Sequence, residues 1–315
     1  MTTMAELGTT SRCNRILPST FYSDILWGRY FQDPETLNIL IKSNPIPRLE
    51  HFLPDISGAA TVSEAYELKE LIREYRGNEK KPFRKLVNTG TIDPYCSLWG
   101  LRPTRYLKDS YTAPIVLDSD LGKLSSVRLH QAQSHKIIIG GMTLVLECLY
   151  DEGECLAGKS TVIILSNGRT SLKYVTALLN SSFISFWYRA SYNTLCLAGG
   201  YLRISRNEIK TIPIAEAPKP VEAKVTVLVD RILAAKRRDP EADTTTFERE
   251  IDQLVYELYD LTPDEIAIAA AAGRSPPPRG EWRGTRCRRR RRAAGWGARD
   301  GPPRSPSARE RCGAG

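Results

Sequence analysis

The chain has 315 residues, 41% hydrophobic and 26% charged, with a formal net charge of +9. That charge sits at one end: residues 271–315 hold 13 Arg, no Lys and three acids, leaving 32 basic and 33 acidic groups in residues 1–270. The basic balance therefore says nothing of the folded part, and any nucleic-acid reading must rest on where individual cations lie.

Seven scattered cysteines without a C-x-x-C pair give no sign of a disulfide framework or a structural zinc site. The first twenty residues carry Glu6, Arg12 and Arg15 and no apolar stretch, so no secretory signal is read there. The longest apolar run, Ile137 to Tyr150, is 14 residues and contains Glu147, too short and too polar for a bilayer span. A soluble, cytoplasmic protein with reduced thiols is expected.

Residues 1–20 read as a frayed lead-in. An aromatic cluster (Phe21, Tyr22, Trp27, Tyr30, Phe31) precedes a short helix at 34–41, and Pro45, Pro47 and Pro54 stiffen the connection beyond it. Thr61-Val62 reads as a strand end and Ser63 as the cap of a helix over 64–75, where Ala65, Leu68, Leu71, Ile72 and Tyr75 keep helical spacing. Residues 86–93 read as a strand entering a glycine turn. Further strands are predicted at 113–117, 136–140, 143–149 and 161–165. The apolar stretch 172–192 predicts one long helix buried on most sides.

After Gly199-Gly200 a polar stretch runs to Ile214, and Ala215 to Pro220 reads as a linker. Helices are predicted at 221–237 and 246–259, the second with an apolar seam of Ile251, Leu254, Val255 and Leu258. Pro263 stands at the first position of another helix. Residues 271–315 are almost wholly Arg, Gly, Pro, Ala and Ser; they cannot bury a core and are expected to be disordered. A phosphate-gripping arm, a tail without structural task and out-of-frame translation all fit that composition.

Catalytic patterns are weak. Pro54-Asp55 with Glu67-Leu-Lys69 imitates the PD…ExK arrangement that holds Mg²⁺ around a nucleophilic water. Glu67 and Lys69, two apart on a helix, would point to different faces, and Glu222–Lys224 shows how easily the pattern arises. His130 and His135 are five apart with no carboxylate between them and read as solvated turn residues. Gly158-Lys159-Ser160 looks like the end of a phosphate loop but leads into a strand. Neither Gly140-Gly141 nor Gly199-Gly200 forms a nucleotide fingerprint. No catalytic residue and no metal site is assigned.

What remains is polar and aromatic side chains on turns between apolar elements. Asn88, Thr89, Thr91, Asp93, Tyr95 and Trp99 surround one turn; Tyr192, Asn193, Tyr201, Arg203, Arg206, Asn207 and Lys210 surround another. With Lys136, and leaving Tyr192 aside, these are the candidate DNA-binding residues. Arg pairs with guanine and Asn with adenine, while Lys and Tyr contact phosphates. Tyr and Trp serve as often in cores, and Asn207 could simply form a turn. A third patch, Lys69 to Lys85, holds seven basic and three acidic groups.

Four strings occur in order: Lys85-Leu-Val-Asn-Thr-Gly-Thr-Ile-Asp-Pro-Tyr95, Lys136-Ile-Ile-Ile-Gly-Gly-Met-Thr-Leu144, Leu156-Ala-Gly-Lys-Ser-Thr-Val-Ile-Ile164, and Gly199-Gly-Tyr-Leu-Arg-Ile-Ser-Arg-Asn-Glu-Ile-Lys-Thr-Ile-Pro-Ile214. Together with Leu254 to Glu265 they resemble the TaqI-like C-terminal specificity domain of type IIG restriction–modification enzymes and adenine-specific DNA methyltransferases, over about residues 20–268. The resemblance implies an α+β, mixed-sheet target-recognition domain at 21–214 and a helical C-terminal extension at 215–270. It implies double-stranded DNA as partner, with a methyltransferase catalytic domain or subunit supplied separately. No Asn-Pro-Pro-Tyr motif or methyl-donor loop occurs here, so no cofactor is expected in this chain and S-adenosylmethionine is expected in the catalytic part. The resemblance implies a specificity module inert on its own. The alternatives are a protein-docking scaffold using the 251–258 seam, or nuclease or methyltransferase activity within the chain.

Overall fold

In the computed structural model, residues 26–273 are described. The lead-in at 1–20 and residues 274–315 of the Arg-rich stretch lie outside them. Asp33 accepts a hydrogen bond from the Thr36 N–H at 2.9 Å and opens α1 (Pro34–Lys42), with proline at the first position. A single turn, α2 (Leu49–Phe52), and β1 (Ile56–Gly58) follow. Thr61 caps α3 (Val62–Lys69) rather than ending a strand. Its hydroxyl accepts from the Glu64 N–H (3.3 Å), and the Glu64 carboxylate accepts from the Thr61 N–H (2.9 Å), a capping box. This helix stops short of the expected Tyr75, because the chain leaves it as β2 (Arg73–Glu74) and the Tyr75 N–H donates to the Ala113 carbonyl at 2.9 Å.

Strand β3 (Phe83–Val87) ends in a 3-10 turn at Thr89–Thr91, so only part of 86–93 is strand. Short strands β4 (Ile92–Asp93), β5 (Cys96–Ser97), β6 (Thr104–Tyr106), β7 (Asp109–Tyr111) and β8 (Pro114–Leu117) come next. Helix α4 (Ser126–Gln133) carries His130, which therefore lies on a helix rather than a turn. Then come β9 (Lys136–Gly140), β10 (Met142–Thr143), β11 (Cys148–Asp151), β12 (Cys155–Ala157) and β13 (Thr161–Leu165). The strand expected over 143–149 is interrupted because the Thr143 hydroxyl donates to the Val145 carbonyl and turns the chain.

A four-stranded antiparallel sheet, β1-β13-β9-β11, is the spine of the fold. Its two central strands are continuous apolar runs, as befits a sheet covered on both faces. Ile137, Ile139, Val162 and Ile164 face the main core with the helices, whereas Ile138, Ile163 and Leu165 face a second cluster with Val87, Ile92 and Ala157. Full burial of each such side chain contributes roughly 1.5–3 kcal/mol. The second four-stranded sheet, β12-β3-β8-β2, is mixed: β12 runs parallel to β3, and the other pairs are antiparallel.

The stretch expected as one helix is two: α5 (Leu172–Asn180) and α6 (Ser182–Ser191). Ser181 between them is extended (ψ 152°), and its hydroxyl accepts from the Ile184 N–H (3.2 Å) while donating to the Leu178 carbonyl (2.6 Å). The break is held from far away, since buried Asp252 accepts from both the Ser182 N–H (2.9 Å) and hydroxyl (2.6 Å).

Past β14 (Leu202–Arg203) and α7 (Arg206–Lys210) come α8 (Lys219–Arg238), α9 (Thr245–Leu258) and α10 (Pro263–Gly273). Ile251 and Val255 of α9 are buried in the main core, and Leu254 and Leu258 are packed against it. The Tyr259 hydroxyl donates to the Pro213 carbonyl (2.7 Å) and accepts from the Ala215 N–H (3.2 Å), tying the end of α9 to the expected linker.

Candidate nucleic-acid interface

Close backbone approach builds the site. Gly140-Gly141 turns β9 into β10 against the loop 158–160 that joins β12 to β13. A β-carbon on Gly141 would lie 2.5 Å from the Ser160 carbonyl oxygen, and one on Gly158 2.7 Å from Asn88 Oδ1, so glycine is required at both. The Gly141 N–H donates to Ser160 O (3.0 Å) and Thr89 Oγ1 (3.1 Å), and the Thr89 hydroxyl also donates to Ser160 O. The Ile204 N–H donates to Gly141 O (3.0 Å), which brings in β14, and Met142 stands opposite Arg203 in the β10–β14 ribbon.

Asn88 completes the joint. Its Oδ1 accepts from the Ser160 N–H (3.2 Å) and its Nδ2 donates to the Arg105 carbonyl (2.7 Å). Turn 88–91, the segment 102–107 around β6, hairpin 140–143, loop 158–160 and corner 202–206 therefore meet at one place.

Two clefts flank that joint. One, about 980 Å³, runs beside β1 and α4 to Arg203 and Arg206. The other, about 750 Å³, is bounded by Asn88, Thr89, Arg102 and Arg105. Met142, Lys159 and Ser160 line both and form the ridge between them. Arg102, Arg105, Arg203 and Arg206 are exposed and Lys159 half-buried. Among the described residues, Glu64 is the one acid lining either cleft.

The Ser125 hydroxyl, donating at 2.6 Å, and the Thr61 N–H hold the Glu64 carboxyl below its ordinary range, so it stays charged. Arg128, 1% exposed, lies at the first cleft's floor and donates to the carbonyls of Ala59 and Ala157 (2.7 Å) and to Gln131 Oε1 (3.0 Å). Burial pushes its pKa down, but a guanidinium retains its proton at neutral pH. Cations outnumber acids among the residues that line each cleft.

Of the candidate residues, the structure brings together Asn88, Thr89, Arg203 and Arg206. Asn193, Tyr201 and Asn207 are exposed and Lys210 half-buried, but none of the four lines either cleft. Four others line neither cleft. Thr91 is buried within the turn, its hydroxyl accepting from the Asn88 N–H at 3.1 Å. Tyr95 is buried in the main core. Trp99 is half-buried, donating to the Pro114 carbonyl (2.7 Å) with its ring 5.5 Å from the Lys85 ammonium. Lys136 is wholly buried and paired with Asp151 at 2.5 Å.

Asp93 is half-buried; burial raises its carboxyl, while Lys236 and Arg102 act the other way. In the Lys69–Lys85 patch three of the seven cations are paired: Lys69 with Asp109 (2.8 Å), Arg73 with Asp120 (3.1 Å) and Arg84 with Asp118 (3.0 Å). Sequence reading missed Arg102, Arg105, Met142 and Lys159. Their one signal was the pair of glycine turns beside Met142 and Lys159. Among the described residues, no group of three or more His, Cys, Asp or Glu side chains is placed to hold a metal ion, and no helix is long and apolar enough to cross a membrane.

No curated protein matches the chain. Among solved structures, it is similar to the type IIL restriction–modification enzyme MmeI in complex with DNA, at 13% identity over 72% of this chain and a TM-score of 0.37. It is similar also to the type IIG restriction endonuclease BpuSI, at 10% identity over 76% of this chain and a TM-score of 0.37. The chain spans 34% of the length of each. The family model that matches is the TaqI-like C-terminal specificity domain, from Pro94 to Ile214, a narrower span than the resemblance read above. It takes in β5 to α7, and with them Arg102, Arg105, Met142, Lys159, Arg203 and Arg206. The resemblance is thus borne out over residues 94–214, which match the TaqI-like C-terminal specificity domain.

Proposed function

We propose that this chain is the DNA sequence-recognition module of a restriction–modification adenine methyltransferase, cytoplasmic and without a reaction of its own. A separate catalytic domain or subunit binds S-adenosylmethionine and carries out the methyl transfer. One observation carries the reading: Arg102, Arg105, Lys159, Arg203 and Arg206 converge on two adjoining clefts, and among the described residues Glu64, in the first, is the one acid lining either. Cations held on a rigid concave frame suit the phosphate backbone of a duplex, and turns between rigid elements suit the reading of base edges. The match to a specificity domain supports the same reading.

In this reading the cofactor belongs to that separate part: the faces of Gly141 and Gly158 meet protein atoms, and no step is assigned to this chain. The scaffold alternative loses its motive, because the 251–258 seam faces the chain's own core. The test is enrichment of duplexes from a randomised pool by the full chain, beside a variant carrying Arg105→Ala, Arg203→Ala and Arg206→Ala. The parent is expected to enrich particular duplexes and the variant to lose them. Identical enrichment by both would refute the assignment.

A further inference from the structure

Met142 is an apolar side chain in a field of cations. It keeps 51% of its surface exposed, lines both clefts, and stands opposite Arg203 in the β10–β14 ribbon. Lys159 lines the same two clefts beside it. Its backbone is fixed, since the preceding Gly141 N–H is bonded to the Ser160 carbonyl and the Gly141 carbonyl to the Ile204 N–H, both at 3.0 Å. A partly exposed, adaptable thioether on a fixed backbone is therefore shared by two clefts lined with cations. Such a group adds nothing to phosphate binding.

A two-stranded ribbon fits the major groove, which is about 12 Å wide. The apolar feature of that groove is the thymine C5-methyl, and an unbranched, polarisable thioether adapts readily to a methyl surface. We propose that Met142 is a specificity-determining residue that recognises a thymine of the target through its C5-methyl, with Lys159 and Arg203 holding the duplex on either side. This rests on the DNA-recognition reading above. The charge around Met142 favours a duplex over an apolar protein surface as its partner.

The test takes a duplex enriched by the full-length chain from a randomised pool, with poly(dI-dC) as competitor. It is resynthesised with each thymine in turn replaced by deoxyuridine, which removes the methyl alone. At one position the parent is expected to lose about fourfold in affinity, the effect of about one buried methyl. Met142→Ala is expected to bind the thymine and uracil forms equally at unchanged salt dependence, and Met142→Leu to keep the preference. If no thymine is methyl-sensitive, or if the sensitivity survives in Met142→Ala, the inference is overturned. A pool that yields no enriched duplex overturns the DNA-recognition reading itself, and this inference with it.

Discussion

The side-chain amide of Asn88 fills the space into which a β-carbon on Gly158 would project, 2.7 Å from Oδ1 and 2.8 Å from Cγ. That amide also bonds Ser160 and Arg105 and cannot give way without loosening both loops. Gly158→Ala is therefore expected to cost about 1–3 kcal/mol in denaturant unfolding. Because the clash and the amide are one interaction, Gly158→Ala combined with Asn88→Ala should cost less than the sum of the single changes. Additive costs would show that the two residues are not coupled.

The number of phosphates engaged can be read through salt. Each of Arg105→Ala, Arg203→Ala and Arg206→Ala is expected to reduce the slope of log affinity against log salt by about one unit for every phosphate no longer neutralised. Lys224→Ala serves as control, since Lys224 lies on α8 and pairs with Glu250 at 2.9 Å. Its slope should equal the parent's. A control that falls as far as the cleft variants would mean that the chain binds DNA by general charge.

Lys136 sits opposite Asp151 in the register of β9 and β11, and both are buried. Asp151 also accepts from the N–H groups of Gly153, Glu154 and Cys155 at 3.1–3.2 Å. Lys136→Met leaves a buried carboxylate without its cation and should cost about 3–5 kcal/mol, read from urea unfolding. The folded variant should bind DNA as the parent does, since the ammonium lies in the interior.

Glu147 gives the stability a pH dependence. Burial first, and the nearby Asp93 second, raise its carboxyl from an ordinary 4.5 to about 8. Below about pH 4.5 it is protonated in both folded and unfolded chains and contributes nothing. Between there and pH 8 the unfolded chain releases the proton while the fold retains it, so stability falls as pH rises. Glu147→Gln should match the parent at pH 4, exceed it at pH 8 and flatten the decline in thermal unfolding. A parent whose stability holds level across that window would contradict this.

The sheet spine was legible because Lys136–Gly140 and Thr161–Leu165 are apolar, β-branched runs bounded by glycine and polar turns. The break at Ser181 was not, because the group that stabilises it, Asp252, lies 70 residues away. In the site, Asn88, Thr89, Arg203 and Arg206 stood out as polar groups on turns. Arg102, Arg105, Met142 and Lys159 stay anonymous in one dimension. Only the glycine-tight meeting of their loops makes them neighbours. Lys136 was misjudged for a complementary reason: its anion, Asp151, comes from the adjoining strand.

Peptide groups, two glycines, Asn88 and Thr89 lock the ridge at Ser160, whereas the side chains it displays at 142, 159 and 203 take no part in that lock. Display and support are separable. Substitutions at those three positions can retune what the surface prefers while the architecture beneath stays unaltered, which leaves a lineage free to drift among targets.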